Sequence, residues 1–200
     1  MNAQLLNYDN YDGIAGVDEV GRGAIAGPIV AAAVILPRHQ DPIFKDSKKI
    51  SSYKRRQFYR ILKASGADIG IGIASPREIE KLNVHFASLI AMKRAIERLS
   101  SVPLQVLVDG IFLPDFNGPI RAIAKGDERI QPISAASIVA KVFRDYLMVR
   151  LGRRFPLYGL REHKGYPTKK HKIAIKEHGI LKFHRRTFAP VKGISLRDEG

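Results

Sequence analysis

The chain has 200 residues, 45% of them hydrophobic, which is enough for a sizeable core in one compact domain. It contains no cysteine, and that removes disulfides, thiol nucleophiles and thiolate zinc sites. Its formal charge of +15 is uneven: residues 1–140 carry a net +4, residues 141–192 a net +12. The opening stretch MNAQLLNYDNYDG lacks the basic and apolar regions of a secretory signal, and the longest apolar run, 24–36, is broken by Pro28 and too short for a bilayer. These features predict a soluble, cytoplasmic protein. Its basic C-terminal quarter suits a polyanion, nucleic acid in preference to a merely solvated surface or an anionic lipid contact.

In chain order, residues 13–18 and 29–36 predict the first two strands, and their short connection favours antiparallel pairing. Ser51 caps a basic amphipathic helix running to about Ala64, with Phe58, Ile61 and Leu62 facing inward. ADIGIGIAS (67–75) alternates as a strand. Ser75-Pro76-Arg77-Glu78 is a capping-box pattern with proline at the first helical position, and Leu89, Met92, Ile96 and Leu99 predict a core-facing helix over 84–99. Residues 104–109 read as a strand ending at Asp109, and 119–124 as a further one. A long helix over 133–151 follows, then a Gly/Pro-marked loop at 158–167 and a short basic helix from about Thr168. This alternation is that of the α/β class. No repeat or composition break divides the chain, so a single domain is expected over 1–200, with its folded core at about 13–190.

The chemistry concentrates in GVDEVGRG (16–23), where Asp18 and Glu19 end an apolar strand. Carboxylates are seldom buried without a partner, and a divalent cation supplies the missing charge. Adjacent side chains on a strand point to opposite faces, so the pair converges only if the strand ends or bends, which Val20-Gly21-Arg22-Gly23 permits. The two glycines let the backbone approach a phosphate-bearing ligand with the Arg22 guanidinium beside it. Asp109, before Gly110, and Asp127, after Gly126, are candidates to complete the site, although aspartate beside glycine is also an ordinary turn residue. Asp145 competes with Asp127; as the fourth residue after Lys141 it is explained by a helical ion pair, and spacing alone does not choose between them. Four carboxylates from three segments suit two Mg²⁺ ions in phosphodiester hydrolysis. The six histidines (39, 85, 163, 171, 178, 184) lack HxxxH spacing and fit structural or loop roles better than metal ligation.

Seven blocks in order resemble ribonuclease HII, the type 2 ribonuclease H of prokaryotes, over nearly the whole chain: GVDEVGRG (16–23), DSKK (46–49), VDG (108–110), KGD (125–127), ISAASIVAKVFRD (133–145), HKGYPTKKH (163–171) and HRRTF (184–188). The resemblance implies a ribonuclease H-like α/β fold, a mixed central β-sheet flanked by helices with additional C-terminal helices. It implies a metal-dependent endoribonuclease, a monomer using Mg²⁺ or Mn²⁺, that cleaves RNA in RNA–DNA hybrids and cuts 5′ of ribonucleotides embedded in duplex DNA. The products carry 3′-hydroxyl and 5′-phosphate ends. The family's four metal-binding carboxylates fall on Asp18, Glu19, Asp109 and Asp127, and not on Asp145. Gly21, Arg22 and Gly23 become the sensor of the 2′-hydroxyl, the group by which a protein tells RNA from DNA, with Tyr166 packed at the ribonucleotide–deoxyribonucleotide junction. Lys48, Asn83, Lys141 and Arg144 are candidates for phosphate or backbone contacts, Asn83 being equally placed to cap the helix after it. Two positions depart from the family pattern: Ala24 where proline commonly follows GRG, and Pro167 where glycine more usually follows the tyrosine. Ribonuclease HIII, which characteristically lacks the arginine of GRG, and a non-catalytic RNA–DNA hybrid-binding protein are the alternatives; Arg22 opposes the first and the four carboxylates the second.

Overall fold

The computed structural model describes residues 11–37 and 50–196, so Lys48 and the DSKK block lie outside the described residues. Strands β1 (Ile14–Val20), β2 (Ile29–Ile35), β3 (Asp68–Ala74), β4 (Gln105–Asp109) and β5 (Ile120–Ile123) form one mixed sheet in the order β3-β2-β1-β4-β5. β1 pairs antiparallel with β2, as the short connection predicts, and β2 with β3; β4 lies parallel to both β1 and β5. Helices α1 (Ser52–Ala64), α2 (Pro76–Ile96) and α3 (Gln131–Arg154) cover the sheet, and α4 (Leu160–His163) and α5 (Lys169–His178) follow.

Small residues on β2 let helices press on both faces of the sheet. Ala31 and Ala33 meet Ala87, Ala91 and Ala95 of α2, while Val30, Ala32 and Val34 meet Ala135, Ala136 and Val139 of α3. This is the alternation of a strand buried on both sides. Gly16 of β1 completes the close approach of α3: a Cβ there would lie 2.0 Å from the Pro132 carbonyl carbon.

The Ser51 and Ser75 caps fall where the sequence puts them, and Thr168, the expected start of the last helix, is its N-cap. Ser51 accepts from the Lys54 amide at 3.3 Å, Thr168 from that of His171 at 3.3 Å, and Ser75 and Glu78 form a reciprocal capping box. Glu78 also receives Arg94 Nη2 at 2.6 Å, which holds its carboxyl down to about 2. That depressed value gives stability present above the ordinary carboxyl range and lost as pH falls from 4.5 towards 2. Ser75→Ala is expected to cost about 1 kcal/mol, read as a lower urea midpoint with an unchanged m-value.

Three expectations change. Ile61 is 42% exposed, because Phe58 and Leu62 already form the inner stripe of α1 and Ile61 falls at its rim. α2 starts at Pro76 and breaks at Asn83 (φ 66°), so the helix predicted from 84 is its second segment; it ends at Ile96, with Leu99 still packed on the core. The loop at 158–167 contains α4, preceded by a 3₁₀ turn at Pro156–Tyr158. Packing also continues past residue 190, through buried Val191 and the Ile180 amide bonded to the Ser195 carbonyl at 3.1 Å. Among the described residues no helix is long and apolar enough to cross a membrane.

Candidate active site

The parallel register of β1 and β4 builds the site. Val17 lies opposite Val108, so Asp18 stands level with Asp109, where β4 ends. Beyond that point β1 has no neighbour on this side, and a cavity of about 480 Å³ opens at the notch, lined by Asp18, Glu19, Asp109, Arg55, Ser137 and Lys141 among others. The bend expected between the two acids is absent. β1 stays extended through Val20, and the turn comes at Gly21 (φ 98°). Both side chains reach the cavity because the sheet edge itself is open there.

The acids are held without enough opposing charge. Burial raises Asp18 well above the usual carboxyl range, Glu19 and Asp109 push it further, and a hydrogen bond from Ser137 opposes the rise. Glu19 is also raised, by burial first; Arg22, whose Nη1 lies 3.2 Å from Glu19 Oε1, works against the shift. The neighbouring cations are engaged elsewhere: Lys141 with Asp145 at 2.8 Å, as the helical spacing predicts, and Arg55 with the Ile50 carbonyl at 2.6 Å.

Asp127 is placed differently. Its 3₁₀ turn (Gly126–Glu128) is attached to Asp109, whose Oδ1 accepts from the Gly126 amide at 2.8 Å and the Asp127 amide at 3.4 Å. The Asp127 side chain is 1% exposed and does not line the cavity. Three of the four expected carboxylates therefore meet, with the fourth beside them through its backbone. Among the described residues no three acidic or imidazole side chains form a ready ligand shell. The donor set nevertheless fits a hard divalent cation: the anionic groups of the notch are carboxylates, and their raised values mark a site short of positive charge.

The segment from Gly21 to Pro28 is held by two buried arginines. Arg185 donates to the carbonyls of Gly21 (2.7 Å), Arg22 (2.9 Å) and Gly27 (3.0 Å). Burial and then the charge of Arg144 lower it to about 9, so it remains a cation at neutral pH. Arg144, expected at a phosphate, is fully buried and donates to Pro28, Lys164 and Ala26 carbonyls at 2.9–3.1 Å. Its donors are engaged by backbone, which corrects that expectation. Gly21 is required for packing as well as conformation, since a Cβ there would sit 2.2 Å from Arg144 Nε. Gly23 is exposed and faces open space. Ala24 supplies an amide that proline lacks, donated to the Gly21 carbonyl at 3.3 Å.

Tyr166 stands close by. The Gly165 carbonyl accepts from the Ile25 and Ala26 amides, and Arg144 and Lys141 lie 5.4 and 5.8 Å from the Tyr166 ring centre. The Thr168 amide closes a three-residue turn onto the Tyr166 carbonyl at 2.8 Å, centred on Pro167, whose ring-fixed φ suits such a turn. Asn83 is outside the cavity lining; its Oδ1 caps the second segment of α2, accepting from the His85 and Phe86 amides at 2.8 and 3.2 Å.

A family model for ribonuclease HII matches residues 15–191. The chain belongs to the ribonuclease HII family. A curated ribonuclease HII from Bacillus thuringiensis (strain Al Hakam) is 50% identical over 180 residues, covering 90% of this chain and 70% of the relative. The crystal structure of ribonuclease H2 from Pyrococcus horikoshii OT3 superposes with a TM-score of 0.73 at 25% identity, over 89% of this chain and 94% of that one. Bst-RNase HIII in complex with Mn²⁺ shares the fold (TM-score 0.65, 15% identity, 92% of this chain and 70% of that one). Membership in ribonuclease HII makes the protein an endoribonuclease acting on RNA–DNA hybrids, and decides against both the ribonuclease HIII reading and a non-catalytic binder. Three residues of this ribonuclease HII site have no role assigned from the sequence: Ser137 and Arg185, which fall within the blocks at 133–145 and 184–188, and Arg55. Ser137 carried a signal, since it sits one helical turn before Lys141.

Proposed function

We propose that the protein cuts on the 5′ side of single ribonucleotides in duplex DNA, as well as in longer hybrids, with Asp18, Glu19, Asp109 and Asp127 as its metal-binding and catalytic residues. The observation that carries this reading is the notch at Asp18 and Asp109, under-compensated in charge and adjacent to a turn that presents open backbone at Gly23. Two divalent ions, Mg²⁺ or Mn²⁺, when bound would activate the attacking water and stabilise the leaving 3′-oxygen. Asp18, Glu19 and Asp109 would hold them at the notch, and Asp127 would join them from the 3₁₀ turn whose amides donate to Asp109. The Gly21-Arg22-Gly23 backbone contacts the 2′-hydroxyl, with Arg22 at the adjacent phosphate and Tyr166 against the junction sugar. Lys141 lines the same cavity and contacts the phosphate backbone there; Lys48 and Asn83 are outer contacts. The charge excess of residues 141–192 supports nucleic acid as the partner, and action as a cytoplasmic monomer belongs to the same reading.

A 5′-labelled DNA duplex with one ribonucleotide, incubated with protein and Mg²⁺, is expected to give one product ending in a 3′-hydroxyl immediately 5′ of that ribonucleotide. An intact duplex, in a preparation that cuts a uniform hybrid, would remove the single-ribonucleotide assignment.

A further inference from the structure

Three histidines lie between the C-terminal helices and the Tyr166 turn, two of them fully buried. His184 Nδ1 receives the Leu181 amide at 2.9 Å, so that nitrogen carries the lone pair and Nε2 carries the proton. A second contact, His184 Nδ1 to the Leu181 carbonyl at 3.3 Å, is longer and does not change the assignment. His184 Nε2 faces His171 Nε2 at 3.2 Å and can only donate to it, so His171 is protonated at Nδ1. That proton points at the Tyr166 carbonyl, 3.0 Å away. His163 closes the set independently: its Nδ1 accepts from the Gly165 amide at 3.2 Å and its Nε2 donates to the Tyr158 carbonyl at 2.8 Å. Every ring nitrogen has one consistent role, and the direction of the whole chain follows from a single backbone amide.

We propose that His184 and His171 form a directed hydrogen-bond relay, running from the Leu181 amide to the Tyr166 carbonyl, that positions Tyr166 against the Gly21–Gly23 turn. The inference rests on the substrate reading of Tyr166 given above. The relay sits where positioning matters. The carbonyl it holds belongs to Tyr166 itself, and the next residue back, Gly165, is bonded to Ile25 and Ala26 just after the turn. His171 is the third residue of α5, so the relay fixes Tyr166 to the start of that helix. Both imidazoles are neutral: burial, then the neighbouring imidazoles, hold His171 at about 4 and His184 at about 3. Around the pair stand His163, stacked on His171 at 4.3 Å, and Tyr158, 5.2 Å from His184; Glu162, Lys164 and Lys170 act on His163. A proton added to His171 would set N–H against N–H across the 3.2 Å contact, and one added to His184 would set its Nδ1–H against the Leu181 amide across the 2.9 Å contact.

Long-range ¹H–¹⁵N spectra of the imidazoles at pH 7 test the relay. The expected tautomers are Nε2–H at His184 and Nδ1–H at His171; the opposite tautomer at either ring, or an imidazolium, overturns it. Function is tested with His171→Asn, whose amide nitrogen replaces Nδ1 and keeps the bond to Tyr166, and His171→Gln, whose amide replaces Nε2 and loses it. Both remove the same ring, so a purely structural role predicts equal effects. The relay predicts that Gln lowers the ratio of single-ribonucleotide to uniform-hybrid cleavage about tenfold, as expected for a misplaced contact, while Asn keeps it within about twofold at a matched melting temperature. Equal ratios in the two variants would refute positioning. Tyr166→Ala separates the two layers: if it leaves the ratio at the wild-type value, the junction reading of Tyr166 fails. The relay is then judged by tautomers and by amide exchange at residues 165–168, faster in the Gln variant than in the Asn variant.

Discussion

Asp18→Asn is expected to abolish cleavage, by about three orders of magnitude or more, while raising the melting temperature of the metal-free protein. The two effects have one cause. Asp18 is 6% exposed, lies beside Glu19 and level with Asp109, and burial together with those neighbours makes its charge costly. The amide keeps the size of the side chain and removes the repulsion, for a gain of about 1 kcal/mol, the usual scale for relieving a strained functional site. The same charge is what a divalent cation requires, and several kcal/mol of transition-state stabilisation, about 1.4 per decade of rate, depend on it. Hybrid binding should persist, because the basic C-terminal region is untouched. Cleavage assays beside differential scanning calorimetry check both halves; an inactive variant that is also less stable would mean that Asp18 is a structural residue.

The second large effect is on stability. Arg185→Ala is expected to cost about 4 kcal/mol, because the carbonyls of Gly21, Arg22 and Gly27 each lose a buried donor at roughly 1–3 kcal/mol apiece, with relief of the repulsion with Arg144 offsetting part of the sum. The loss falls on the turn that faces the substrate, so activity on every substrate should fall with it. Arg185→Lys keeps the charge but not the planar fork, and should recover only part of the loss. Urea denaturation of the three proteins measures this; a change under about 1 kcal/mol in the alanine variant would show that water replaces the guanidinium without penalty.

Much of this site was legible because its signals are local. Asp109 ends an apolar strand and Asp18 follows the apolar run of residues 14–17, while Ser51 and Ser75 stand in capping patterns and Thr168 where the last helix is expected to begin. The resemblance carried the choice of Asp127 over Asp145, and the structure accounts for Asp145 through its bond to Lys141. What could not be read depends on distant partners. Arg144 and Arg185 look like surface cations in the sequence, since arginine is seldom fully buried. Their acceptors lie as far as 118 and 164 residues away in the chain. The failed bend between Asp18 and Glu19 has a similar origin: where β1 loses its neighbour is decided by the end of β4, a property of register that neither segment shows alone. The histidines lack ligand spacing and fit structural or loop roles; their mutual order appears only once α5 and the segment at His184 are packed together.

We propose above that the notch between β1 and β4 is a divalent-metal centre. Calorimetric titration of Mn²⁺ into the wild-type protein and into Asp18→Asn and Asp109→Asn, without nucleic acid, tests it independently of turnover. The expected result is a binding isotherm for wild type that weakens at least about tenfold in both variants, since each removes a charged oxygen ligand. Equal Mn²⁺ binding by all three proteins would contradict it and place the metal elsewhere.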